Sequence, residues 1–137
     1  MIHVSRKEME KSFKKHRHIW NSSKNKGPSY SHKMVLFYAV ECGLKSLFMT
    51  KFRVVKTDRT GVTGKSVSDF GHNLNPLLKQ LRLERYRLPQ VKDESGTQIS
   101  PENVHQAWRY GRTLDSKKEE KFICRLKKIL AELDAKI

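Results

Sequence analysis

The segment Ser31–Phe52, SHKMVLFYAVECGLKSLFMTKF, is the most apolar run of the sequence. Met34, Val35, Leu36, Phe37, Tyr38, Ala39, Val40, Leu44, Leu47, Phe48 and Met49 leave no consistently polar side when wound on a helical period. A run of this length without proline favours helix over strand. A helix apolar on most faces needs neighbours all round it. The segment therefore predicts the central rod of a helical bundle, and the flanking sequence has to supply the rods that cover it.

Upstream, Met9, Phe13, His16 and Trp20 recur at i, i+4, i+7 and i+11, the stripe of a first helix over about residues 5 to 22. The polar stretch Asn21–Ser29, with Gly27-Pro28, reads as a connection. Downstream, 53–71 has glycines and hydroxyl residues but no period, and reads as a long, mobile loop. His72-Asn73-Leu74-Asn75-Pro76 opens a third helix, with Leu74, Leu77, Leu78 and Leu81 on one face. Pro89–Gly96 is another polar connection. Ser100-Pro101-Glu102 starts a short fourth helix over about 101–108, which Gly111 ends. Ser116-Lys117-Lys118-Glu119 fits a capping box. The last helix then carries Phe122, Leu126, Ile129 and Leu133 at i, i+4, i+7 and i+11. No strand pair stands out. The expected fold is all-α, an up-and-down bundle of four to five helices forming one domain over 1–137.

The chain has 137 residues, 36% apolar and 31% charged, enough for one modest core. No stretch of about 18 apolar residues predicts a membrane span. Met1–Lys15 is charged throughout and lacks the apolar core of a secretory signal. Two cysteines make neither a disulfide framework nor a zinc site. These features together predict a cytoplasmic protein.

Charge is the outstanding compositional feature: 29 Lys and Arg against 14 Asp and Glu, a net of +15. Residues 1–92 hold 20 of the bases and six acids, a net of +14, whereas the remainder is nearly balanced at +1. The densest runs are Lys11–His18, with Lys14, Lys15 and Arg17, and Arg82–Arg87, with Arg82, Arg85 and Arg87. Such a balance favours polyanionic partners, nucleic acid or nucleotide first.

Gly61-Val62-Thr63-Gly64-Lys65-Ser66 spells part of a phosphate loop, but Arg59 stands where the first glycine belongs, and no strand precedes it. It reads as a flexible basic loop whose Lys65 can touch phosphate. The six histidines show no metal-ligand spacing with cysteine or carboxylate, so neither metal nor cofactor is expected. His105, beside Trp108 and Arg109, reads as a packing or capping histidine. Glu41 and Lys45 are four apart on the most apolar helix, in the favoured Glu-to-Lys order. A carboxylate there needs partners, which predicts a structural polar network or a polar pocket, with Arg109 and Tyr110 as partners in space.

Tyr38-Ala39-Val40-Glu41-Cys42-Gly43-Leu44-Lys45 resembles the A-x-E-x-x-L-K signature of HEPN domains. Gly71-His72-Asn73-Leu74 resembles the G-H-x-L that starts a later helix there, and Trp108-Arg109-Tyr110 the Arg-Tyr before the final helix. Order and spacing agree over about residues 30 to 133. The resemblance implies a helical bundle, often a homodimer, in prokaryotic toxin–antitoxin, anti-phage or other conflict systems, sometimes beside a nucleotidyltransferase partner. Many members are ribonucleases with Arg followed after four to six residues by His. No arginine here precedes a histidine at that spacing, and none follows Arg109.

The leading expectation is accordingly a non-catalytic HEPN-like domain that binds RNA, DNA or a nucleotide. His72, Arg109 and Tyr110 form its specific pocket, Glu41 orients Arg109, and Tyr110 or Trp108 stacks on a base. Lys14, Lys15, Arg17, Lys65, Arg82, Arg85 and Arg87 supply the charge. One alternative is a divergent, metal-independent ribonuclease using His72 with Arg109. Another is an adaptor or inhibitor that docks on an acidic protein.

Overall fold

In the computed structural model, residues 2–23, 27, 29–60 and 64–137 are described. Five α-helices order the chain: α1 (Arg6–Ser23), α2 (Tyr30–Lys51), α3 (Leu74–Gln80), α4 (Val104–Arg109) and α5 (Ser116–Lys136). The rods α1, α2 and α5 fall where the apolar periods place them. Ser29 caps α2 by accepting a hydrogen bond from the His32 backbone N–H at 3.3 Å.

The helix α2 packs against each of the other four. Leu36, Phe37, Ala39, Val40, Leu44, Phe48 and Met49 are fully buried around its circumference. From α1 come Met9, Phe13 and Trp20, and from α5 Phe122, Leu126, Ile129 and Leu133. Burying one such side chain stabilises by roughly 1.5–3 kcal/mol. The start of α1 meets the chain just beyond α2, through the Ser5–Lys56 bridge, so the two run antiparallel. Lys33 meets Glu119 near the starts of α2 and α5, and Gly43 lies against Leu133 farther along both. Those two rods therefore run parallel, and the return between them is made by α3, α4 and a small hairpin.

Three local expectations are corrected. First, a strand pair does exist: β1 (Val91–Lys92) and β2 (Gln98–Ile99) are antiparallel, with Val91 opposite Ile99. Two residues per strand are too few to show alternation. The hairpin is closed by Asp93, whose carboxylate accepts from the Ser95 and Thr97 backbone N–H groups at 2.9 Å. Second, the last helix is capped one residue earlier than expected. Asp115 accepts from the Lys118 backbone N–H, and Glu119 binds the Trp108 indole N–H at 2.9 Å and Lys33 at 2.8 Å instead of forming a capping box. Third, the described part of 53–71 is anchored: Val54, Thr57, Ser66, Val67 and Phe70 are buried, and Val67–Phe70 forms a 3-10 turn. Gly61–Thr63 of the basic loop lie outside the described residues. The fourth helix opens as a 3-10 turn over Pro101–Asn103, and the Ser100 side chain makes no cap to it.

Gly43 marks the closest approach of three rods. A Cβ there would lie 2.6 Å from Leu133 Cδ1 and 2.8 Å from Phe13 Cδ1, both in fully buried side chains. Alanine in mid-helix normally gains about 1 kcal/mol over glycine. Forced core overpacking costs about 1–3 kcal/mol. Gly43→Ala is therefore expected to lower stability by about 1 kcal/mol, read as a lower denaturant midpoint at unchanged slope. A raised midpoint would show that Phe13 and Leu133 yield.

Candidate functional site

The helix α2 carries one polar stripe. Tyr38, Glu41 and Lys45 stand at i, i+3 and i+7, so they share a face. Glu41 and Lys45 are each only 9% exposed, which makes pairing obligatory. Glu41 Oε2 accepts from Lys45 Nζ at 3.3 Å, and Glu41 Oε1 accepts from His72 Nδ1 at 2.7 Å. Both carboxylate oxygens are thus engaged, by Lys45 and His72 rather than by Arg109. The group that Glu41 orients is therefore His72, and not Arg109 as expected.

His72 is placed by the turn before α3. Gly71 has φ +53° and ψ −127°, a conformation essentially restricted to glycine, and the chain then enters α3 through Asn73. A carboxylate only accepts, so His72 Nδ1 carries the proton in its bond to Glu41. In the neutral ring Nε2 is then a lone pair, on a side chain 49% exposed. A carboxylate-held imidazole with one free nitrogen is equipped to accept or relay a proton, or, once protonated, to meet an anion.

Behind His72 lies a second histidine. The His105 ring is 4.4 Å from that of His72, centroid to centroid, and stacks on Phe37 at 5.0 Å. The Tyr38 hydroxyl lies 3.2 Å from His105 Nδ1. His105 is buried and its Nε2 has no hydrogen-bond partner among the described residues. Burial pushes its pKa below the ordinary imidazole value, helped by the neighbouring His72 and Arg109 and opposed by Glu41 and the Glu102 carbonyl. Burial likewise raises the Tyr38 pKa, opposed by Arg109. The expectation of a packing histidine holds for the ring's stacking, but His105 also joins the polar cluster. Spacing carried a signal for this: His105 and Arg109 are four apart, on the same side of α4.

Arg109 is exposed and has neither an ion pair nor a hydrogen bond among the described residues. It stands one helical turn after His105 on α4, and its charge acts on both Tyr38 and His105. Tyr110, next in the chain, is 79% exposed. Trp108 is 1% exposed with its N–H bound to Glu119, so it is core and offers no face for stacking.

Glu41, His72 and Arg109 line neither of two neighbouring clefts. One cleft, about 590 Å³, is bordered by Asn73, Lys65, Lys79, Arg87 and Glu102. The other, about 450 Å³, lies between β2 and α4. The remaining basic residues do not converge. Lys65 and Arg87 share the larger cleft. Arg82 is exposed, with φ +58°, just past α3. Arg85 pairs with Glu132 at 2.8 Å and lies over the Tyr86 ring. On α1, Lys14 pairs with Glu10 at 3.3 Å, Arg17 with Asp134 at 2.8 Å, and Lys15 is exposed. Among the described residues no group of three or more His, Cys, Asp or Glu is arranged to hold a metal, and no helix is long and apolar enough to cross a membrane.

The lowered His105 pKa has a definite consequence for stability. At a pH above about 6.5, His105 is neutral folded and unfolded and contributes nothing. Below that, the unfolded chain takes up a proton that the folded one refuses, so stability falls until the pH passes the folded value. Denaturation between about pH 7.5 and about pH 5.5 should therefore show stability dropping with acid, with a shallower drop in His105→Gln. Equal slopes in the two proteins would contradict a buried neutral imidazole.

No family model, curated protein or solved structure matches this chain.

Proposed function

We propose that this protein is a HEPN-like, non-catalytic basic domain that binds RNA, DNA or a nucleotide, as a component of a prokaryotic toxin–antitoxin or anti-phage system. The observation that carries the reading is Arg109: an exposed guanidinium without a carboxylate partner among the described residues, one helical turn after His105, whose ring lies 4.4 Å from the His72 imidazole that Glu41 holds in place. A free guanidinium can grip a phosphate through two parallel hydrogen bonds, and a protonated His72 can add a third. The net charge of +15 supplies the long-range attraction, and Lys65 and Arg87 extend the cationic border along the neighbouring cleft. The homodimer and the nucleotidyltransferase or defence partner implied by the resemblance belong to the same proposal.

A second reading is favoured by one distance. The 2.7 Å Glu41–His72 bond leaves Nε2 available as a base, and Arg109 supplies a cation for the phosphate, the pair a divergent, metal-independent ribonuclease needs.

Anisotropy of a labelled single-stranded oligonucleotide should show binding at low salt that weakens linearly on a log–log scale as salt rises. Arg109→Ala should weaken binding and reduce the slope by about 0.7, the value of one single-strand phosphate contact. An unchanged slope in that variant would remove Arg109 from the interface, and absence of binding at low salt would refute the proposal. Gel analysis of the same RNA separates the second reading: it requires cleavage that disappears in His72→Ala.

A further inference from the structure

The cleft between β2 and α4 is lined mainly by polar side chains around one exposed aromatic ring. Gln98, Ser100, Asn103, Gln106, Tyr110 and Arg112 border a space of about 450 Å³. Their convergence follows from local geometry. Asn103, Gln106 and Tyr110 stand at i, i+3 and i+7 along the fourth helix and its 3-10 start, so they share one face. In β2, alternation buries Ile99 and turns Gln98 outward toward that face.

Three properties of this lining point to a ligand. The Tyr110 ring is 79% exposed, and it has no ring contact or hydrogen bond with the described residues. The Gln98 and Gln106 carboxamides likewise have no hydrogen-bond partner there, while Asn103 donates to Ser100 Oγ at 3.2 Å. Arg112 is held near the cleft by a long 4.0 Å contact with Asp93. A free aromatic face with several carboxamides, each both donor and acceptor, matches an unstacked nucleobase: a flat ring with a mixed hydrogen-bonding edge. Around α4, Arg109 lies about 60° to one side of Gln106, and Tyr110, next in the chain after Arg109, about 40° to the other side. A phosphate at Arg109 and a base in the cleft are therefore neighbours on the scale of one nucleotide.

We propose that this cleft is a nucleobase subsite, in which the base stacks on Tyr110 and its edge is read by Gln98, Asn103 and Gln106. The proposal rests on the phosphate-binding reading above and adds to it the part of the ligand that charge alone does not select.

The test compares three probes at one low salt concentration: a short single-stranded oligonucleotide, an abasic oligodeoxynucleotide of equal length, and uridine monophosphate. The intact oligonucleotide should bind about fivefold or more tightly than the abasic one, the size expected for one stacked base. Tyr110→Ala should erase that difference, and Tyr110→Phe should restore it. Equal affinities for the two strands, or a difference that survives Tyr110→Ala, overturn the subsite and leave the charge-based reading standing. Failure of both strands to bind overturns both. Saturable binding of uridine monophosphate that is lost in Tyr110→Ala supports the subsite with a free nucleotide as its source. Strand discrimination without mononucleotide binding supports it with a single strand as the source.

Discussion

A helix enclosed on every side cannot hold an unpaired carboxylate, and α2 is such a helix. Its apolar side chains are shared among α1, α3, α4 and α5, which leaves one stripe for Tyr38, Glu41 and Lys45. The Glu41 carboxylate is the fixed point of that stripe. One oxygen compensates the Lys45 ammonium within the helix, and the other reaches across to His72 at the head of α3. Losing Lys45 would leave a buried charge uncompensated, a costly state in a low-dielectric interior, and losing His72 would leave the other carboxylate oxygen without its hydrogen bond. The demand that a buried charge be paired therefore orients the exposed imidazole. Packing and site are parts of one constraint here.

That constraint organises a layered cluster. Outermost is Arg109, then His72, half exposed and tethered, and innermost the buried His105 with Tyr38 at its Nδ1. The layers differ in solvation, so they differ in protonation: burial holds His105 neutral and keeps the proton on Tyr38. The His105 Nε2, buried and unpaired, is the one side-chain polar atom of its kind among the described residues. Unsatisfied groups are costly and cluster where function requires them. The adjacent cleft, with its exposed tyrosine and carboxamides, continues the same surface around α4.

The bundle was legible because its signals are periodic. Of the stripe Met9, Phe13, His16 and Trp20 all but the half-buried His16 reach the core, as do Phe122, Leu126, Ile129 and Leu133, and the all-round apolar run is the central rod. The proximity of Glu41 and His72 followed from a carboxylate in an apolar helix needing a partner, although the expected partner, Arg109, was a different one. Pairing across 31 residues depends on how α3 docks, which no local pattern encodes. The polar pairing of His105 with Tyr38 is unreadable for a related reason: His105 reads as a packing histidine, which its stacking on Phe37 bears out, until Tyr38 is beside it. Trp108 misled in the opposite direction. Its place next to Arg109 suggested a stacking face, but the helical period turns position 108 inward, where Glu119 takes its N–H. Net charge was the least informative guide to place, since Arg17, Arg85 and Lys14 are already paired with carboxylates. The short hairpin had no alternation to read.

On the proposed function, an anionic ligand is gripped where α2, the head of α3 and α4 meet, and not by cationic surface at large. Chemical-shift mapping of the isotope-labelled protein during titration with a single-stranded oligonucleotide separates the two. The largest perturbations should fall on the His72 and His105 rings and on Arg109 and Tyr110. Perturbations confined to Lys14, Lys15 and the outer face of α1, with the two imidazoles unmoved, would contradict it.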